Sequence, residues 1–401
     1  MSRLACLLAV VTLAGSAGMA LAQGVEVQPL AAPDAFTTPG RDTGLPATLW
    51  RGASLKTAQT VLPLLAARPL SPAAAALARR VLATGAPGPK GAGQDVALAG
   101  ARASALLGQG DAKAAAAILA RAPGIDRAPE LAQAAAESAL LSGDNTRACQ
   151  VAEGLSAGRD EVYWLRLRTF CQAIAGQTRE AQLTFDIAQS QTRDPVFGRL
   201  MGAKLAGGGD PGAASLRNGL DYALSRDLGL DLAAAKPAPA VAAALSSGEP
   251  AAPVFDAAAA PADLAPLAET LAAGEPVRDE TVQALLDAAA AAQPKARARA
   301  QAAALLAWAL AAPLSPETRG LVAGLATPEG KAPVGRSLAL DVAADQKAMG
   351  EAALLALWTC AEAGAAGPAI GDRVRIVRAL HAVGLDADAR GFALEGLLSL
   401  K

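Results

Sequence analysis

Along most of the chain apolar residues recur at helical spacing, in stretches ended by glycine, proline or short polar turns. The pattern predicts helices over 55–67 and 72–83, then a run of helix pairs from 94 to 226. Ser71-Pro72 is a good helix start, because proline is tolerated at the first helical position, whereas Pro63 is expected to interrupt the helix before it. Between 227 and 276 the pattern degrades into short apolar stretches separated by Pro and Gly, read as short hairpins (241–245 and 264–271) or a connector. Helices resume at 279–292, 297–311, 316–325, 337–345 and 350–363. A last hairpin places Val374, Ile376, Val377 and Leu380 on one helix and Phe392, Leu394, Leu397 and Leu398 on the next. The divisions expected are therefore a leader over 23–49, N-terminal helices over 50–93, repeats over 94–226, the 227–276 segment and a helical region over 277–401. Trp50, just before the first helix, is placed to anchor the leader.

Inside the 94–226 run the pattern repeats. Gly110, Gly143, Gly176 and Gly209 stand 33 residues apart, followed by Asp111, Asp144, Gln177 and Asp210. Five residues after each glycine comes Ala115, Ala148, Ala181 or Ala214, and twelve before it Leu98, Leu131, Trp164 or Phe197. A period of this size is the signature of stacked helical hairpins. First helices are predicted over 98–109, 131–142, 164–175 and 197–208. The glycine ends each one in the left-handed conformation, which it reaches cheaply, and the Asp then accepts orphan amide hydrogens of the second helix. The alanine on that second helix lets the pair approach closely. Neither helix buries its stripe alone, so neighbouring hairpins must stack.

These units, with "ALLGQGDAKAAAAILARA", "SALLSGDNTRACQVAEGL" and "FCQAIAGQTREAQLTFDIA", resemble tetratricopeptide repeats. The turn glycines and the small alanines match that family's pattern. The spacing of 33 departs from its 34, and its first-helix tyrosine and Leu-Gly pair are missing. The resemblance covers roughly residues 94 to 226. It implies an all-α fold, a right-handed α-solenoid of stacked antiparallel helix hairpins, with protein or peptide binding and no chemistry.

Composition agrees with helix. Alanine, the best helix former, dominates, and six Phe and two Tyr are too few for a sandwich or barrel. The opening Met1-Ser2-Arg3, the apolar run to Leu21 and the Ala20-Leu21-Ala22 pattern read as a signal peptide over 1–22, which directs the chain to the periplasm. No later run is long enough to suggest a transmembrane segment. Formal net charge is −1, and with few aromatics to stack bases this argues against a nucleic-acid partner. An oxidising compartment permits a disulfide. Cys149 in one second helix and Cys171 in the next first helix can meet as a staple worth roughly 2–4 kcal/mol. The alternative is two separate buried thiols, and Cys360 is left over.

The motifs that carry chemistry are missing. There is no phosphate loop, no G-x-G-x-x-G after a strand, no G-x-S-x-G, no C-x-x-C and no H-E-x-x-H. His381 is the only histidine, which rules out a multi-histidine metal site. No catalytic residue, cofactor or metal site is expected, and Glu137, Glu153, Glu180 and Glu280 are read as solvated helix faces. Trp164, Arg166, Arg168, Arg147 and Arg179 are the candidate partner-binding residues, since Arg and aromatic side chains dominate interface hot spots. Against this, the column of Trp164 suggests core, with the arginines simply solvated.

The expected function is a periplasmic scaffold or adaptor that binds another protein in cell-envelope organisation or assembly. A non-catalytic accessory associated with peptidoglycan is the runner-up, and an enzyme with an unrecognised carboxylate pair the third reading. Each makes a different demand on the surface. A groove lined by Arg, Asn and Gln with a hydrophobic spot favours a protein partner, and one rich in exposed aromatics favours glycan. An enzyme needs two buried carboxylates about 5–10 Å apart in a cleft.

Overall fold

Side chains as small as alanine give thin apolar layers, so helices built from them must lie close together to exclude water. A computed structural model describes residues 36–238, 241–242, 245–246, 253–311, 313–325 and 330–400. The signal peptide, the first part of the leader and part of the 241–245 stretch lie outside the described residues. Those described form eighteen α-helices and no strand. In the first half they are α1 (Leu55–Ala67), α2 (Pro72–Ala83), α3 (Val96–Gly108), α4 (Ala112–Leu119), α5 (Pro129–Leu141), α6 (Asn145–Gly154), α7 (Val162–Ile174), α8 (Thr178–Gln191), α9 (Pro195–Ala206) and α10 (Gly219–Asp227). The second half contributes α11 (Ala265–Ala273), α12 (Asp279–Ala291), α13 (Pro294–Trp308), α14 (Pro316–Ala323), α15 (Val334–Asp345), α16 (Met349–Ala363), α17 (Ile370–Ala382) and α18 (Asp386–Ser399).

Three hairpins form as the spacing predicts. Gly110, Gly143 and Gly176 have φ near +80° (82, 81 and 75°). In each turn the glycine N–H bonds the carbonyl three residues back and the next N–H the carbonyl five back, as in Asp111 N–H to Leu106 O at 2.8 Å. Asp111 and Asp144 then cap α4 and α6 through the amides of Ala114 and Arg147. Ala115, Ala148 and Ala181 are fully buried, and Leu98, Leu131, Trp164 and Phe197 all lie in the core. Cys149 of α6 and Cys171 of α7 are joined by a disulfide, while Cys360 is a buried free thiol whose pKa burial pushes up to about 12.

The fourth unit departs from the pattern. α9 ends at Gly207 (φ 64°), and residues 207–218 continue without a helix; Asp210 bonds the Gly212 amide in a local turn instead of capping one. Three consecutive glycines and Pro211 remove the helical preference there. The next helix, α10, starts at Gly219 under an Asn218 cap and packs on α5 and α9. Pro63 is the opposite case, because α1 runs through it with the ring at the exposed face.

Order in space differs from order in the chain. α1 packs against α3 on one side and α16 on the other, and α2 touches α3, α16 and α18. A Cβ at Gly108 would lie 2.6 Å from the Ala66 carbonyl oxygen, which is how closely α3 approaches α1. Polar contacts fix the other junction. Glu351 accepts from the Ser54 amide and the Thr57 hydroxyl, both at 2.8 Å. Ser71 forms no side-chain cap on α2, and Glu395 of α18 takes that role by accepting from the Ala73 amide at 2.7 Å. Trp50 is buried edge-on to Phe36, and the Gly350 amide donates to the Leu49 carbonyl, so residues 36–53 tie α16 to the first helices.

Candidate partner-binding pocket

The first helices α3, α5 and α7, with α9 and Ala66 of α1, line a pocket of about 480 Å³ that the segment 217–221 walls on another side. The missing helix of the fourth unit makes that wall possible, since the chain that would have continued the stack turns back over α5. Glu137 of α5 holds it there. Its Oε2 accepts the Gly219 amide at 2.7 Å and its Oε1 the Tyr163 hydroxyl at 3.0 Å. Glu137 is thus no solvated face, contrary to the sequence reading. It keeps some surface open to the pocket, yet burial raises its pKa above the ordinary carboxylate value, against the two hydrogen bonds. Burial, and then the Glu137 charge, raise the pKa of Tyr163 well above the usual phenol value.

A second cluster orients the cations. Asp194 caps α9 through the Val196 and Phe197 amides at 3.0 and 3.1 Å. The same carboxylate holds Arg217 at 3.0 Å and Arg166 at 3.3 Å. Burial pulls its pKa up, but the hydrogen bonds from Arg217 and Phe197 and the two guanidinium charges outweigh burial and leave it lowered. Arg217 also donates through Nε to Asp221 at 2.5 Å, which, with Asp194, raises its pKa. Asp221 accepts in addition from Ser215 Oγ at 2.7 Å. Arg166 reaches the Thr192 carbonyl and lies 5.5 Å over the centre of the Phe197 ring.

Both oxygens of Glu137 and of Asp194 are therefore engaged by the protein. These carboxylates act as clamps that fix Tyr163, Arg166 and Arg217 in the pocket wall. Gln133 and Asn218 add amides at the exposed rim, and Leu107, Leu141, Phe197 and Leu220 supply an apolar patch. Among the described residues no group of three or more His, Cys, Asp or Glu side chains is placed to hold a metal ion.

Of the five residues singled out from the sequence, Arg166 alone lines this pocket. Trp164 is withdrawn from the surface, 1 % exposed and edge-on to Tyr163, because its column faces the core. Arg168 bonds the Arg159 carbonyl, and Arg147 and Arg179 are exposed on α6 and α8. Sequence reasoning missed Glu137, Tyr163, Asp194, Arg217, Asn218 and Asp221. The one local signal was Asn218 ahead of an apolar stretch, a helix-cap pattern that would have started α10 at Gly219 and released 210–218 from the repeat. No protein family, no curated protein and no solved structure matches the chain.

Proposed function

We propose that the chain is a periplasmic helical-repeat scaffold or adaptor, a right-handed solenoid of the tetratricopeptide type, whose pocket receives a segment of another protein of the cell envelope. The observation that carries this reading is the lining of the pocket, with two arginines braced by Asp194 and Asp221, an asparagine and a glutamine around an apolar patch. Side-chain amides meet the backbone carbonyls and amides of an extended segment, and the patch takes one apolar side chain. The peptidoglycan reading calls for exposed aromatic rings. The large apolar side chains exposed among the described residues, Leu183 and Val254 among them, are all aliphatic. Glu137 and Asp221 both line the pocket; Glu137 is bonded through both oxygens, to Gly219 and Tyr163, and Asp221 through Oδ2 to Ser215 and Arg217.

The test is a pull-down of the tagged protein from crosslinked periplasm and envelope, read by mass spectrometry, with a Gln133→Trp variant that fills the exposed rim. One stoichiometric protein partner, lost at least about tenfold in the variant, is the expected outcome, since a blocked hot spot costs about 2 kcal/mol or more. Peptidoglycan fragments without a specific protein would sink the reading.

A further inference from the structure

A larger groove, of about 830 Å³, lies where the two halves of the chain meet, between α2, α11 and α18. Four arginines face it (Arg41, Arg79, Arg80 and Arg390) against two carboxylates, Asp42 and Asp388, in a chain whose overall charge is −1. The arginines are not equivalent. Arg41 pairs with Asp111, and Arg80 with Asp388 at 2.5 Å. Arg79 donates to the Gln109 carbonyl at 3.2 Å, and neither Arg79 nor Arg390 has a carboxylate within ion-pairing distance among the described residues. Arg79 sits near the Arg41 charge and is half-buried; burial and that neighbouring charge both lower its pKa. Arg390 makes no side-chain hydrogen bond or ion pair with the described residues. It lies beside Gly274 at the end of α11, where the Leu271 and Thr270 carbonyls already accept from the Gly274 and Glu275 amides.

The rest of the groove is apolar. Phe255, Leu271 and Leu394 form its floor, and Val254, 94 % exposed, stands at the lip. Two half-buried guanidinium groups without carboxylates, over an apolar floor, are electrostatically incomplete.

We propose that this groove binds an organic dianion, two carboxylates engaging Arg79 and Arg390 on an apolar body that lies over Phe255, Leu271 and Leu394. Arginine is suited to this because its planar fork takes a carboxylate through two parallel hydrogen bonds. The same chemistry has two sources, a free aliphatic dicarboxylate or a peptide segment with two acidic residues flanking apolar ones. The site does not depend on the adaptor reading, because it shares no residue with the 480 Å³ pocket.

Calorimetric titration of the full chain tests it with four probes: straight-chain dicarboxylates from six to ten carbons, the matching monocarboxylates, the peptide acetyl-Glu-Leu-Leu-Glu-amide, and inorganic phosphate. Saturable binding of a dicarboxylate or of the peptide is expected, about tenfold tighter than the monocarboxylate or phosphate, since each charged hydrogen-bonded pair is worth about that factor. Whichever of the two binds identifies the source. Arg390→Gln and Arg79→Gln should each weaken it about tenfold. Val254→Asp, at an exposed position that leaves the core intact, should weaken it by placing a like charge at the lip. No saturable binding by either probe at millimolar concentration overturns the proposal. So does binding that the three variants leave unchanged, or phosphate binding as tightly as the dicarboxylate.

Discussion

The turns at Gly176 and Gly209 begin alike and end differently. Gly176 follows the end of α7, and Gly207, two residues before Gly209, closes α9; each helix carries a large buried ring near its start, Trp164 in one case and Phe197 in the other. Past Gly176 the chain enters α8 at once; past Gly209 it runs without a helix to Gly219, then folds back on α5. A left-handed glycine ends a helix in both, so it is a stop signal and not a hairpin signal. The residues after the glycine decide between the two. Thr178-Arg179-Glu180-Ala181 continues into a helix, whereas Asp210-Pro211-Gly212 turns on itself through the Asp210 carboxylate. The pocket exists because of this failure, since Arg217, Asn218 and Asp221 stand where a regular fourth hairpin would have carried its second helix past the site.

The largest expected effect breaks the part the two units share. Phe197 is 1 % exposed, packs near Phe185 and lies under Arg166. Phe197→Ala should cost about 3–5 kcal/mol in urea unfolding, by lost burial and the cavity left behind. A loss under about 1 kcal/mol would show that the column is not core at the broken unit.

Next comes the covalent tie on the regular side. The Cys149–Cys171 bridge closes a separation of 22 residues between α6 and α7, and the broken side has no counterpart among the described residues. Paired serine substitution should cost roughly 2–4 kcal/mol and speed amide exchange in α6–α8 more than in α9–α10. Equal acceleration in both would mean that the two regions open as one.

The elements were legible because their signals are local. The glycine turns, the buried column and the cysteine pair each act over a few tens of residues, and the structure has all three across the first three units. The junction of the chain's ends was not legible. Its contacts, Ser54 and Thr57 to Glu351, Ala73 to Glu395 and Arg80 to Asp388, join residues about 300 apart, and alanine faces are too alike to specify which helices meet. The pocket was hidden for a related reason. Read as repeat, 210–226 is a second helix, and Glu137 then faces water; only the fold-back encloses it.

Acid–base behaviour sharpens the comparison at that fold-back. Burial holds the Glu137 pKa above its unfolded value, so the folded protein binds the extra proton more readily. That contribution to stability is fully present below the ordinary glutamate pKa and is lost as pH rises through the raised one. Stability should therefore carry a component that declines with rising pH just above the ordinary glutamate range, and Glu137→Gln should flatten it. An unchanged profile in the variant would place the titration elsewhere.

The smallest effect is at the two positions after the glycines. Asp111 and Asp144 cap their helices through backbone amides, but Gln177 makes no such bond at the start of α8. Gln177→Asp supplies the missing acceptor in the same backbone setting and should stabilise the protein by about 0.5–1 kcal/mol, seen as a higher urea midpoint with unchanged slope. Asp210 occupies the matching column but bonds Gly212 in an irregular segment. Asp210→Ala removes only an exposed local turn contact and should shift stability by no more than about 0.5 kcal/mol. If the two changes were equal in size, the column would have the same role in both units and the fourth turn would be a hairpin turn after all. A gain at 177 with near-neutrality at 210 ties capping to a helix that must come next, and the pocket wall at 217–221 to its absence.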